Sequence, residues 1–264
     1  MSTLLHITDT HLYADSAAVL KGISPQESFA AVLAHAQGKF PSPDSIILGG
    51  DMAQDEAAET YLRLADMLQG WQAPFMVTPG NHANMVELNS NLIPALMTHS
   101  DYSKSLELQH WQVITLNSHA EGKVSGLLGD DELERLDRQL AEIQPRHTLI
   151  ALHHHPVSIA SRWLDEIGLD DRQQLWRILD RYAHVKALLC GHIHQEFDHV
   201  HNHVRVLATP SSCVQFRPRC DDFALDGMSP GYRWLKLQPD GGIDTGVERV
   251  DGFIPADLGN DSPY

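Results

Sequence analysis

Along the first 194 residues, short apolar runs end again and again in the same few residue types, namely Asp, Asn, Gly and His. The run Leu4–Thr8 leads into Asp9-Thr10-His11, Ser45–Leu48 into Gly49-Gly50-Asp51, and Phe75–Thr78 into Gly80-Asn81-His82. Thr148–Leu152 leads into His153-His154-His155, and Val185–Cys190 into Gly191-His192-Ile193-His194. Longer amphipathic segments lie between the runs, which is the pattern of βαβ units and predicts an α/β fold. In such sheets ligands collect at the carboxyl ends of the strands, so five clusters far apart in sequence are expected to meet on one rim.

The connecting segments carry helix signals. Ser24-Pro25-Gln26-Glu27 is a capping box with proline at the first helical position, opening a helix through about Ala36. Glu56–Leu68, Asp130–Ile143 and Asp171–Tyr182 follow, and Leu133, Leu136 and Leu140 are spaced to share one face. Trp111–Leu116 reads as one more strand. After Gly191 the pattern changes, and Val204–Ala208, Tyr232–Leu237 and Ile243–Val250 read as strands of an antiparallel closing portion. No linker divides the chain. A single domain over residues 1–254 is expected, followed by a polar tail, Pro255–Tyr264, read as poorly ordered.

Composition narrows the chemistry. The chain holds 17 His, and 19 Lys+Arg against 35 Asp+Glu leave a formal charge of −16. A field of that sign repels polyphosphate backbones and argues against a long nucleic acid as partner. It also makes bound cations the first suspicion, transition metals above all. Cys190, Cys213 and Cys220 form no Cys-x-x-Cys pair, which predicts reduced thiols and a cytoplasmic location. Met1–Thr8 lacks a basic region and is broken by His6, so neither a signal peptide nor an anchor is expected there. No run approaches the roughly 18 apolar residues of a spanning helix, and no membrane partner is expected.

Each cluster alone is weak evidence, because Asp-x-His, Gly-Gly-Asp and Gly-Asn-His are usually turns. His192 and His194 say more, since alternate strand residues share a face and can chelate one ion. All five at strand ends and in this order point to a metal site.

The ordered set Asp-x-His, Gly-Asp, Gly-Asn-His, His and Gly-His-x-His, spanning Asp9 to His194, resembles the calcineurin-like metallophosphoesterase superfamily. The flanks Ile7-Thr8-Asp9-Thr10-His11-Leu12, His153-His154-His155-Pro156 and Leu189–Glu196, with the later Ala208–Phe216, look like the bacterial class III 3′,5′-cyclic AMP phosphodiesterases. The resemblance implies a four-layer αββα sandwich, two stacked mixed β-sheets flanked by helices. It assigns Asp9, His11 and His194 to one divalent transition-metal ion, Asn81, His153 and His192 to a second, and Asp51 to both. His154 and His155 are then structural. The substrate would touch His11, Asp51, Asn81, His82 and His194.

The activity implied is hydrolysis of 3′,5′-cyclic AMP to 5′-AMP by a hydroxide that bridges the two ions, with His82 as the catalytic residue at the leaving ribose oxygen. The superfamily usually follows that histidine with Asp or Glu, whereas this chain has Ala83, with Asn84 the nearest polar substitute. Trp163 and the pair Phe216-Arg217 are candidate contacts for adenine or phosphate. Two alternatives stay open at this point. One is another phosphodiester hydrolase on the same dinuclear scaffold, acting on a glycerophosphodiester, a 2′,3′-cyclic nucleotide or a nucleotide pyrophosphate. The other is a non-catalytic scaffold that kept the fold.

Overall fold

The computed structural model describes residues 1–97, 104–143, 146–259 and 262–263. The first half alternates strand and helix as expected: β1 (Ser2–Ile7), α1 (Pro25–Lys39), β2 (Ser45–Leu48), α2 (Ala58–Leu68) and β3 (Phe75–Val77). Ser24 caps α1 by accepting from the Glu27 N–H at 3.3 Å, with Pro25 at its first position. A short helical stretch follows, with α3 (Met85–Glu87), one π turn over Leu88–Leu92, and α4 (Ile93–Met97). Next come β4 (Ser105–Glu107), β5 (Trp111–Thr115), α5 (Gly129–Glu142), β6 (His147–Ala151), α6 (Arg162–Asp165), α7 (Arg172–Leu179) and β7 (Val185–Cys190). The last part is all strand: β8 (Phe197–His201), β9 (Val204–Ala208), β10 (Gln215–Phe216), β11 (Leu225–Asp226), β12 (Gly231–Leu237) and β13 (Ile243–Arg249).

Eleven of these strands form two large mixed sheets, in the orders β13-β12-β1-β2-β3 and β4-β5-β6-β7-β9-β8, while β10 and β11 pair antiparallel on their own. β1, β2 and β3 are mutually parallel, as are β5, β6, β7 and β9, while the chain's last strands close the first sheet antiparallel through the β1–β12 pair. Period-2 alternation sends side chains to two sides, and three apolar layers result. Leu4, Ile47, Leu149, Ala187, Leu189 and Leu235 meet between the two sheets. Leu5, Ile7, Ile46 and Leu48 face the other way, onto Phe29, Val32, Tyr61 and Leu64 of α1 and α2. Ile114, Ile150, Leu188 and Val206 pack on Leu133, Leu136 and Leu140 of α5 and on Leu175 and Leu179 of α7. Helix, sheet, sheet, helix is therefore the layer order.

The C-terminal residues return over the body. Pro255 is buried, Ala256 lies against Gly22, and Lys21 Nζ donates to the carbonyl of Ser262. Residues 260, 261 and 264 of the expected tail lie outside the described residues. Cys190, Cys213 and Cys220 carry free thiols. Among the described residues no helix is long and apolar enough to cross a membrane.

Candidate metal centre

The carboxyl ends of β1, β2, β3, β6 and β7 all open on one rim, and short hydrogen bonds lock their loops together. The Asp9 N–H donates to Gly50 O (3.1 Å), His11 N–H to Asp51 O (2.9 Å) and Gly191 N–H to His153 O (3.1 Å). The two sheets are joined here as well, because the His192 N–H of one donates to both carboxylate oxygens of Asp9 in the other, at 3.2 Å each. Close approach needs glycine. A Cβ on Gly50, whose φ is +88°, would lie 2.2 Å from His153 Nδ1, and one on Gly80 would lie 2.1 Å from Asp51 Oδ1. Asp9, His11, Asp51, His192 and His194 themselves hold positive φ, between 41° and 67°.

The donor atoms converge. Asp9, His11 and His194 present ligand atoms within 4.8 Å of one another, and so do Asp9, Asp51 and His153. His153 Nε2 stands 3.2 Å from Asp51 Oδ2, and His194 Nε2 stands 3.3 Å from Asp9 Oδ1 and 3.2 Å from His11 Nε2. The far edge of each ring is held. His153 Nδ1 lies 2.8 Å from Gly49 O, His194 Nδ1 2.8 Å from Val214 O, His11 Nδ1 2.5 Å from Gln54 Oε1, and His192 Nε2 3.1 Å from Ile167 O. A carbonyl oxygen only accepts, so each ring donates on that side and leaves its other nitrogen for an ion, the arrangement that orients metal-bound histidines.

Asn81 supplies the most direct test of fit. Its Oδ1 is buried and has no hydrogen-bond partner, an arrangement that costs free energy unless a cation takes the lone pairs. His154 differs from the others. It belongs to a His153, His154, His192 group within metal-ligating distance, yet both its nitrogens are engaged, Nδ1 by Ser118 Oγ at 2.8 Å and Nε2 by Val124 O at 3.1 Å. No lone pair is left for a metal. His155 stacks on His192 at 5.8 Å and stands 3.8 Å from Asp165.

Electrostatics agrees with the donor set. Burial pushes the His11 pKa down to about 3, helped by the neighbouring His194, and burial beside other imidazoles holds His192 well below its ordinary value. Both rings are neutral at pH 7, as ligands must be. Burial alone would raise Asp9 and Asp51, but the facing imidazoles of His194 and His153 hold both carboxyls below the usual range. Burial would likewise lower His153, yet the charge and hydrogen bond of Asp51 override it and lift this ring to about 9. In protein stripped by chelation, His153 therefore carries a proton that an ion must displace. The apparent metal affinity is expected to rise about tenfold per pH unit from neutrality and to level off near 9, as for displacement of one proton. The proton-bridged carboxylates stabilise the stripped fold fully below pH 6.5 and lose that effect as pH rises through about 9. A metal titration across this range in a competing chelator measures the slope, and a flat profile would remove His153 from the ligand set.

Beside this centre lies a cavity of about 620 Å³, lined by His11, Asp51, Asn81, His82, His192 and His194 on its polar side. His82 donates its backbone N–H to Asp51 Oδ1 at 2.9 Å, and its ring stands edge-on to His11 with centroids 5.4 Å apart. Asn84 does not orient that ring. Its side chain caps α3 by accepting from Val86 and Glu87 N–H, and its amide donates to Glu56 O. Ala83 is buried, packing into the apolar layer of α2 and also lining the cavity.

The apolar side of the cavity includes Leu164, Ile167, Phe216 and Phe223. Phe216 stacks flat on His194 at 4.1 Å, and Trp163 braces Phe216 and Phe223 edge-on at 5.1 and 5.2 Å. Trp163 and Arg217 do not line the cavity, whereas Phe223, His119 and Lys123, which the sequence reading passed over, do. The stretch Ala208–Phe216 acts as a brace as well. Ser211 Oγ donates to Asp9 O at 2.7 Å, and Val214 and Phe216 hold His194.

The calcineurin-like phosphoesterase family model matches residues 2–196. The chain is a calcineurin-like phosphoesterase. It is 40% identical over 255 residues to a protein of Vibrio vulnificus named 3′,5′-cyclic adenosine monophosphate phosphodiesterase CpdA, covering 96% of this chain and 92% of that one. It is 41% identical to the Escherichia coli K12 protein of the same name, covering 94% and 89%. Among solved structures, a dimetal phosphatase from Danio rerio superposes with a TM-score of 0.62 at 14% identity, over 89% of this chain and 94% of that one. TT1561 of Thermus thermophilus gives 0.60 at 13% identity, over 93% and 98%. These two show the shared fold. Calcineurin-like phosphoesterases use a dinuclear divalent metal centre, and the Asp and His clusters of this chain suit one.

Proposed function

We propose that the chain hydrolyses 3′,5′-cyclic AMP to 5′-AMP. What carries the reading is the near-full-length similarity to enzymes bearing that name, in a chain that keeps every donor of the rim. On this reading Asp9, His11 and His194 would hold one ion, Asn81, His153 and His192 the other, and Asp51 would serve both. Iron and manganese are the preferred ions, with zinc third, given the mixed nitrogen and oxygen donors. When bound, two such ions neutralise phosphoryl oxygens and lower the pKa of water toward roughly 7.

The protein's own groups do the rest. His11, Asp51, Asn81, His82 and His194 face the phosphate. His82, anchored through its backbone to Asp51, delivers a proton to the leaving ribose 3′-oxygen. Leu164, Ile167, Phe216 and Phe223 offer the base an apolar surface that excludes water. The same proposal takes residues 1–254 as one domain, places the protein in the cytoplasm, and excludes long nucleic acids as substrates because of the −16 charge.

A substrate panel tests it. Manganese-loaded protein is expected to turn over cyclic AMP with a kcat/KM at least about tenfold above a 2′,3′-cyclic nucleotide, with cyclic GMP and an aryl phosphodiester as further arms; tenfold corresponds to about 1.4 kcal/mol of transition-state binding. Two ions per chain and loss of activity on chelation are expected alongside. Turnover of the aryl or 2′,3′-cyclic substrate without cyclic AMP would shift the assignment to another phosphodiester on the same centre.

A further inference from the structure

After β5 the chain runs Leu116-Asn117-Ser118-His119, a loop pinned on several sides. Asn117 N–H donates to Glu132 Oε1 at 2.8 Å, Ser118 Oγ meets His154 Nδ1 at 2.8 Å, and His119 N–H donates to Asn117 Oδ1 at 3.0 Å. The His119 ring is thereby fixed at the wall of the 620 Å³ cavity, with Nδ1 2.9 Å from Gly80 O. Because that carbonyl only accepts, Nδ1 carries the ring proton and Nε2 keeps a lone pair. Nε2 has no hydrogen-bond partner among the described residues and is not buried. It is a free acceptor on a ring that lines the cavity.

Its position restricts what it can meet. Gly80 directly precedes Asn81 and His82, so the acceptor stands beside the groups that face the phosphate. In a 3′,5′-cyclic ribonucleotide the hydroxyl donor nearest phosphorus is the 2′-hydroxyl, on the carbon next to the one bearing the bridging 3′-oxygen. The amine of the base lies farther out. We propose that His119 Nε2 accepts a hydrogen bond from the substrate's 2′-hydroxyl, making His119 a positioning residue that selects ribose over deoxyribose. The inference rests on the cyclic-nucleotide reading above.

The experiment compares wild type and His119→Ala on cyclic AMP, 2′-deoxy-cyclic AMP, cyclic IMP and bis(p-nitrophenyl) phosphate, which has no sugar. Wild type is expected to favour cyclic AMP over its deoxy analogue in kcat/KM by about two- to tenfold, the range a neutral hydrogen bond supports. In the variant that ratio falls to about one through loss on cyclic AMP alone, and the aryl diester rate is unchanged. Calorimetric titration with 5′-AMP and 2′-deoxy-5′-AMP is expected to show the same split in Kd for wild type and none for the variant. Equal losses on all substrates would overturn the proposal and leave the ring as a prop for the Gly80 loop. A variant that keeps the ribose preference but alters the choice between cyclic AMP and cyclic IMP would move the contact to the base and overturn it too. Wild type that cleaves the aryl diester and neither cyclic nucleotide would remove the functional reading, while the two Kd values would still decide for or against His119.

Discussion

Asp51→Asn is expected to abolish cyclic nucleotide hydrolysis and to lower metal occupancy in the same preparation. Asp51 is the carboxylate that stands 3.2 Å from His153 Nε2, accepts the His82 N–H at 2.9 Å, and is pressed against Gly80. Asparagine keeps the shape but removes the charge that offsets the ions, and it places an amide where an anion is needed. Losing an outer hydrogen-bond partner of a metal ligand typically costs 10–100-fold in affinity, so losing the shared carboxylate is expected to cost at least about 100-fold. Removal of the charge also frees His153 from the influence that lifts it to about 9, so the variant's metal uptake loses its steep pH dependence. Elemental analysis after dialysis, with circular dichroism as the check on folding, reads both effects. Full occupancy in an inactive variant would mean that Asp51 acts on the substrate and not on the ions.

His82→Ala is expected to behave in the opposite way, with metal content intact and turnover of cyclic AMP reduced about 10²–10⁴-fold, the usual share of general acid catalysis. The backbone N–H that reaches Asp51 survives the substitution, which is why the centre should stay loaded. A nitrophenolate leaving group needs no proton, so the loss on an aryl phosphodiester is expected to stay below about tenfold. Parallel losses on both substrates would reduce His82 to an electrostatic contact. With Ala83 buried and Asn84 engaged in capping α3, no carboxylate next to it in sequence steadies the imidazole. The His82 ring is accordingly set by its loop and by His11.

How far the residues alone reach can be judged element by element. β2, β7 and β9 coincide with the runs Ser45–Leu48, Val185–Cys190 and Val204–Ala208, because a strand buried on both faces reads as a mostly apolar segment, broken here only by Ser45, Lys186 and Arg205. The same property hides which face meets the other sheet, so the stacking of two sheets followed from family resemblance and not from periodicity. β8, with only partly buried and exposed residues over Phe197–His201, left no apolar run to find. In the site, Asp9, His11, Asp51, Asn81, His82, His153, His192 and His194 do gather on one rim. His119 had the same signal, a strand running into Asn-Ser-His, but no glycine marks the turn there. Phe223 carried no local mark, since its place on the cavity wall depends on contacts with Trp163 and Phe216.

The five donor residues with left-handed backbone bear on how this protein tolerates change. Non-glycine residues in that region cost about 1–3 kcal/mol each and persist only where surrounding structure enforces them. The rigid rim between two fully packed sheets is what enforces them here. Selection for heat resistance alone would therefore favour glycine or asparagine at Asp9, His11 and His194 before it touched the core, and each such step would raise the melting temperature while dismantling the centre. A laboratory lineage screened only for endurance would drift toward an inert but sturdier shell.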